Sequence, residues 1–368
     1  GLDLGASVLW TSPALPFGGA HTLSLGSDAR RIDGTTRETL PPPTTPPPGD
    51  PTVQRDAAGQ QQLYGVFLQE LYDYSAALSA SLALRYDQWQ NLSAWRRTTA
   101  YSGAVTDTTF PDRSDGEFSP KFAVRMRIND WLTARATAYR AFRAPTLDEL
   151  YRPFQAGTVR TDANPYLGPE TVRGAEAGLD LGGSTRLGAR LTAFWNDLEN
   201  PILNVSTGPN TAQRRNLGHA RIQGLEFEAR WALAPNWSME AAGTLAPTEV
   251  TEAPGEPQLL GKQLPQSPRE VGRVSLSYDR PGRMNADLAV RYIGRQYEND
   301  INTLPIGSVV LTDLHAGWHL TSHLDLYVAV ENLFNEAYLV GRAGVDTIGQ
   351  PRFVHGGFRL RLGSPPAN

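Results

Sequence analysis

The sequence predicts an all-β protein, an antiparallel transmembrane β-barrel with about fifteen strands in this chain. Three observations carry that expectation. Apolar residues alternate with polar ones at period two, connections alternate between short and long, and no apolar run approaches the roughly 18 residues of a membrane helix. Composition alone would hide this, because only 40% of the 368 residues are hydrophobic. A barrel strand produces such an average by following each lipid-facing residue with a lumenal one. The net charge of -4, with 34 Lys and Arg scattered along the chain, leaves no electrostatic footprint for nucleic acid. The lack of cysteine excludes a disulfide scaffold, thiolate zinc sites and thiol catalysis.

In chain order, a first strand over roughly 2–11 ends in the short Pro16–Gly19 turn. The seven-proline stretch Pro41–Pro51 cannot be a strand and reads as extended polyproline II at a loop tip. Leu78, Ala80, Leu82, Leu84 and Tyr86 then share one face, with Ser79, Ser81, Arg85 and Asp87 on the other. Phe122, Val124, Met126 and Ile128 oppose Arg125 and Arg127, and Leu225, Phe227, Ala229 and Trp231 oppose Glu226, Glu228 and Arg230. The pattern returns at Met284–Tyr292 and Leu324–Val330. The stripe holding Leu78, Leu82, Leu84, Val124, Met126, Leu288, Val290, Leu326 and Val328 is assigned to lipid. Arg85, Arg125, Arg127, Glu226, Glu228 and Asp287 are assigned to the lumen. Short turns at Asp73–Ser75, Asn129–Asp130, Gly182–Ser184, Ala234–Asn236, Asp279–Gly282 and Thr321–Ser322 alternate with long polar stretches near 40–60, 96–116, 144–168, 198–213, 247–269, 297–306 and 337–350. Tight periplasmic turns and long extracellular loops give a barrel this asymmetry. By the same count the first strand and the last, roughly 351–362, run in one direction, so no regular antiparallel ladder is expected between them.

Thr146 and Glu149 have capping-box spacing, which predicts a short helix over Leu147–Tyr151. Trp89, Trp131, Trp195, Trp231 and Trp237 lie near strand ends and read as interface anchors. Catalytic and metal readings fare poorly. The Gly255…Gly261-Lys262 run has Gln263 where a phosphate loop needs Ser or Thr. His315 and His319 would sit about 13 Å apart on a strand, too far to share an ion. No catalytic residue, metal ligand or cofactor is assigned.

FRAPTLDELY (142–151) followed by NPYLGPETVRGAEAGLDL resembles the signature stretch of TonB-dependent outer-membrane receptors. So do YGVFLQE (64–70), LRYDQW (84–89), RRNLGHARIQGLEFEARW (214–231) and the closing VENLFNEAYLVGR with GQPRFVHGGFRLRL. The resemblance implies a 22-stranded barrel with an N-terminal plug. On that reading residues 1–368 are one partial barrel domain, without the plug and TonB box. It further implies an outer-membrane receptor for uptake of a metal chelate, a ferric siderophore, or a cobalamin-like ligand. The implied partners are outer-membrane lipid and the TonB–ExbB–ExbD complex, with no nucleic acid and no enzyme activity. A passive porin or a surface adhesin barrel is the alternative. Ligand contacts are expected from the 144–168 and 198–215 loops, where Arg and aromatics combine, chiefly Tyr151, Arg152, Phe154, Arg160 and Arg215.

Overall fold

The computed structural model describes residues 1–39, 52–182 and 186–362. The Pro41–Pro51 stretch, turn residues 183–184 and the 363–368 tail lie outside them. Fifteen strands build one wall among the described residues. They are β1 (Leu2–Thr11), β2 (Ala20–Thr39), β3 (Thr52–Ser75), β4 (Leu78–Ala100), β5 (Arg113–Arg127), β6 (Leu132–Arg143), β7 (Glu170–Leu181) and β8 (Leu187–Glu199). The wall continues with β9 (His219–Ala234), β10 (Trp237–Leu245), β11 (Glu270–Arg280), β12 (Met284–Ile293), β13 (Val309–His319), β14 (Leu324–Glu331) and β15 (Phe353–Leu360). Each pairs antiparallel with the next along the chain, the up-and-down order the alternating connections predicted. Among the described residues no pairing joins β1 to β15, and the two strands run the same way.

Register decides which side each residue takes. Leu84 sits beside Leu68, Leu78 beside Met126, and Met126 beside Ala134, so one apolar stripe crosses β3 to β6. Leu288 lies between Leu276 and Leu314, and Leu326 between Trp318 and Phe358. Arg85, Arg125, Arg127, Glu226, Glu228 and Asp287 all fall on the opposite side, as their parity requires. That side is the lumen, because its side chains reach each other two strands apart. Arg85 crosses Gly65 to Asp28 at 2.7 Å, and Arg135 crosses Gly178 to the Thr192 hydroxyl. A Cβ at Gly178 would lie 2.7 Å from the Arg135 guanidinium carbon, and one at Gly65 would strike Arg85 and come within 2.9 Å of Asp87. Glycine on the intervening strand is what lets the long charges bridge.

Two departures from the sequence reading stand out. β2, β3 and β4 run 20, 24 and 23 residues, about twice the 9–11 needed to cross a bilayer. The ladder runs on through 52–60 and 96–100, where the sequence predicted loop, and beside those stretches Gln60, Gln61, Gln62, Gln88 and Gln90 make the strands polar on both faces. Above the membrane both faces are wet, so hydrophobic alternation disappears while the backbone ladder continues. Trp131, Trp195, Trp231 and Trp237 are exposed on or beside the outward stripe, but Trp89 is not an interface anchor. Its parity is lumenal, it is 1% exposed, and Arg113 lies 5.9 Å over its ring.

The long connections carry their own packing. Val205, Leu217, Ala220, Val250, Ala253, Leu259 and Leu264 form one hydrophobic cluster that joins three of them, with Ile301 against it. Asp300 accepts from the Ser206 amide at 2.9 Å, and Asn302 accepts from the Gln263 amide at 2.7 Å.

Candidate functional site

The segment after β6 turns inward, and sequence chemistry explains how. Pro145 ends the strand, and Thr146 caps α1 (Leu147–Tyr151), with both arms of the box formed by Glu149. The Glu149 carboxylate also accepts from Arg143 at 2.8 and 3.0 Å, and Arg143 binds Glu170 at the start of β7. Burial works against the Glu149 charge, but Arg143 and the Thr146 amide and hydroxyl outweigh it and hold its pKa below the usual carboxylate range. Leu147 rests on the wall where Gly34 and Gly59 face each other across β2 and β3. A Cβ at Gly34 would come within 2.9 Å of Leu147 Cδ1. Gln61 reaches the Pro145 carbonyl at 2.9 Å. Leu150, Tyr151, Leu167 and Ala94 then close a small core.

Beyond α1, Phe154–Ala156 and Val159–Asp162 join Thr211–Asn216 and Ile202–Gly208 in a four-stranded sheet. Where this sheet meets the tops of β2 and β3, Glu38, Thr39, Arg55, Arg152, Phe154, Gln155 and Arg214 line an open cavity of about 520 Å³. Arg214 lies 4.9 Å over the Phe154 ring and donates to the Arg152 carbonyl at 3.0 Å. Burial pushes the Arg214 pKa down from its ordinary value. Arg152 donates to Glu38 at 2.6 Å. Arg55 feels Arg160, Glu38, Asp162 and Arg96 electrostatically, and Arg96 lies 5.6 Å over Phe110. The arrangement is a vestibule of five arginines with aromatic faces, compensated by Glu38 and Asp162. Planar guanidinium forks of this kind suit carboxylates and other anionic oxygens, and a desolvated fork binds them more strongly than one in water. Among the described residues no group of three or more His, Asp or Glu converges to hold a bare ion.

Of the residues expected to touch ligand, Arg152 and Phe154 line this cavity, and Arg160 stands near it, bound to Asp162 at 2.9 Å. Tyr151 is elsewhere. It is 2% exposed, packed 5.0 Å from Phe110, with its hydroxyl unpartnered among the described residues. Burial raises its pKa. Arg215 points away from its neighbour Arg214, as alternation on a strand demands, and binds Glu256 and Gln213. Sequence reasoning missed Arg55 and Arg96. Arg55 signalled itself only as a charge at inward parity after the proline-rich connection, and Arg96 has outward parity when counted from Arg85. A bulge in the ladder, where Gln60 pairs Leu92 but Ala58 pairs Trp95, turns it inward, so that Arg55 lies opposite Thr98 and Ala57 opposite Arg96.

Residues 1–333 match the family model described as "TonB dependent receptor-like, beta-barrel". The chain is 26% identical over 257 residues to the pesticin receptor of Yersinia pestis, covering 66% of this chain and 35% of that protein. It is 24% identical over 226 residues to the vitamin B12 transporter BtuB of Photobacterium profundum, covering 60% and 34%. The crystal structure of the ferric-catecholate import receptor Fiu from K12 E. coli superposes with a TM-score of 0.77 at 17% identity, over 97% of this chain and 54% of that one. The chain thus spans about half or less of the length of the proteins it matches.

Proposed function

Because this chain belongs to the TonB-dependent receptor β-barrel family, we propose that it forms one side of an outer-membrane receptor that takes up an anionic metal chelate of the ferric siderophore class. The observation that carries this reading is the arginine vestibule over α1. Arg55, Arg152 and Arg214 line one cavity with Phe154, and Arg96 and Arg160 stand within electrostatic reach. Carboxylate or catecholate oxygens on a ferric chelate would find guanidinium donors there and a ring to lie against. A cobalamin-like ligand would use far less of that charge. Relatives named for ferric chelates and for vitamin B12 both occur among the matches.

Uptake is energised through the TonB–ExbB–ExbD complex acting on a plug, with the chain a transporter part rather than an enzyme. Residues 1–368 make a single partial barrel domain whose remaining strands come from elsewhere in the full-length receptor. That β1 and β15 run the same way supports this, since bacterial barrels close with an even number of antiparallel strands. The porin alternative is disfavoured by the match of residues 1–333 to the receptor barrel family.

The test is equilibrium binding to the full-length receptor, using ferric tris-catecholate, ferric citrate and cyanocobalamin. An Arg152→Ala/Arg214→Ala receptor is expected to lose at least tenfold in affinity for one ferric chelate. Binding that ignores both substitutions, or cobalamin bound in preference to both chelates, would overturn the reading.

A further inference from the structure

Within the vestibule, the Arg152 guanidinium already holds an anion. It donates through Nε to Glu38 Oε1 at 2.6 Å, and its Nη2 turns to the same oxygen. An Arg–carboxylate pair is strongest as a parallel fork, with each nitrogen on its own oxygen. Two donors on one oxygen fall short of that. Asp148, the other acid beside Arg152, lies 3.7 Å from Nη1, beyond hydrogen-bond distance. Neither member of the main pair is sealed off. The Arg152 side chain is 37% exposed and that of Glu38 22%, and both line the cavity. A contact through one oxygen, open on its cavity side, is one that a ligand offering two oxygens can displace.

The pair joins two parts that are positioned independently of it. Glu38 stands at the top of β2, directly opposite Arg55 on β3, and Arg152 is the C-cap of α1. The Thr146–Glu149 box fastens the start of α1, and Arg214 donates to the Asp148 and Arg152 carbonyls at its end. Both partners belong to the wall and to the segment folded against it, so the contact is made within this chain whatever fills the rest of the lumen. When it breaks, Glu38 stays opposite Arg55, and opposite charges across a ladder are favourable. From this geometry we propose that Glu38 is a specificity-determining residue, an internal anion that occupies the Arg152 fork and yields it to a chelate presenting two adjacent anionic oxygens. The inference rests on the functional reading above and adds a threshold to it. An uncharged chelate leaves Glu38 in place, whereas a carboxylate or catecholate gains the second parallel hydrogen bond that Glu38 does not make. No covalent step is involved.

The experiment is equilibrium binding to the full-length receptor, as wild type, Glu38→Gln and Glu38→Ser. The probes are ferric tris-catecholate, ferric citrate and an uncharged ferric tris-hydroxamate. Each is measured at about 0.1 M and about 1 M salt, between which the screening length falls from about 10 to about 3 Å. For an anionic chelate that wild type binds, both substitutions are expected to tighten binding at least threefold. The gain should persist at the higher salt, because a contact pair is screened far less than charges acting at a distance. The uncharged chelate should gain less than twofold. Unchanged or weakened binding of the anionic chelate would overturn the proposal, since Glu38 would then be only a strut between β2 and α1. A gain that vanishes at high salt would also overturn it, and so would an equal gain for the uncharged chelate. In each of these cases the functional reading stands if Arg152→Ala/Arg214→Ala still weakens binding. Failure of wild type to bind either anionic chelate would overturn the functional reading itself, and the role of Glu38 with it.

Discussion

Replacing Glu149 with alanine should open α1 without disturbing the wall. Its carboxylate, 19% exposed, accepts from the Thr146 amide at 2.8 Å, the Thr146 hydroxyl at 3.0 Å, and two Arg143 nitrogens at 2.8 and 3.0 Å. Losing a capping interaction costs about 0.5–2 kcal/mol. Losing a hydrogen bond to a charged group costs about 1.5–3 kcal/mol. The Arg143 contribution belongs at the low end, because that side chain is 43% exposed and keeps Glu170 as a partner. Together these give about 2–3 kcal/mol, or roughly a 30- to 150-fold rise in local opening at 1.4 kcal/mol per decade. Native-state hydrogen exchange in the full-length receptor reads this directly at the Leu150 amide, bonded to the Thr146 carbonyl at 3.0 Å, and at the Arg152 amide, bonded to Asp148 at 3.1 Å. Strand amides in β6 and β7 should keep their protection. Unchanged protection at Leu150 and Arg152 would refute the claim that Glu149 fastens the helix.

Three further outcomes are expected. Because the Glu149 pKa is held down in the folded protein, its contribution is full above the ordinary carboxylate value of about 4.3 and is lost as pH falls through the lower folded value. Protection of α1 should therefore be flat from neutrality to about pH 5 and fall in more acid solution, while Glu149→Gln removes that dependence. Leu288→Arg places a charge on the lipid stripe and should cost up to about 2–4 kcal/mol if it sits at mid-bilayer, whereas Asp287→Arg, one residue away on the lumenal side, should cost far less; urea titration of the refolded receptor in vesicles compares them. Gly65→Val drives a side chain into Arg85 and Asp87 and should break the tie to Asp28, lowering the melting temperature more than Gly5→Val on β1, where the nearest atom to an added Cβ is 3.9 Å away.

Much of this architecture was written in the chain at short range. Period-two alternation assigned Leu84 and Arg85 to opposite faces, and the Thr146–Glu149 spacing announced α1, because both signals are local. Trp89 could have been read correctly too, since it lies five residues beyond Leu84 and so has lumenal parity. Hydropathy failed for the upper halves of β2 to β4, where Gln61 and Gln62 are both polar yet both paired in the sheet. The vestibule was only half legible. Arg152 and Phe154 share one loop, but Arg55 and Arg96 reach it through strand register, and no local pattern reports which residues a ladder sets side by side. Tyr151 looked like a loop aromatic open to ligand. Its place under Phe110 depends on the inward turn of α1 against Gly34 and Gly59, two glycines far from it in sequence.

The shared cluster of Val205, Leu217, Val250, Leu259 and Leu264 has a consequence for what the cell shows to the outside. Connections welded through one core present a single discontinuous epitope. Antibodies raised against the intact receptor would recognise residues from several connections at once, and a synthetic peptide copying any one of them would compete poorly. Selection could then vary exposed residues such as Leu260 freely, while the residues at the weld could change only together.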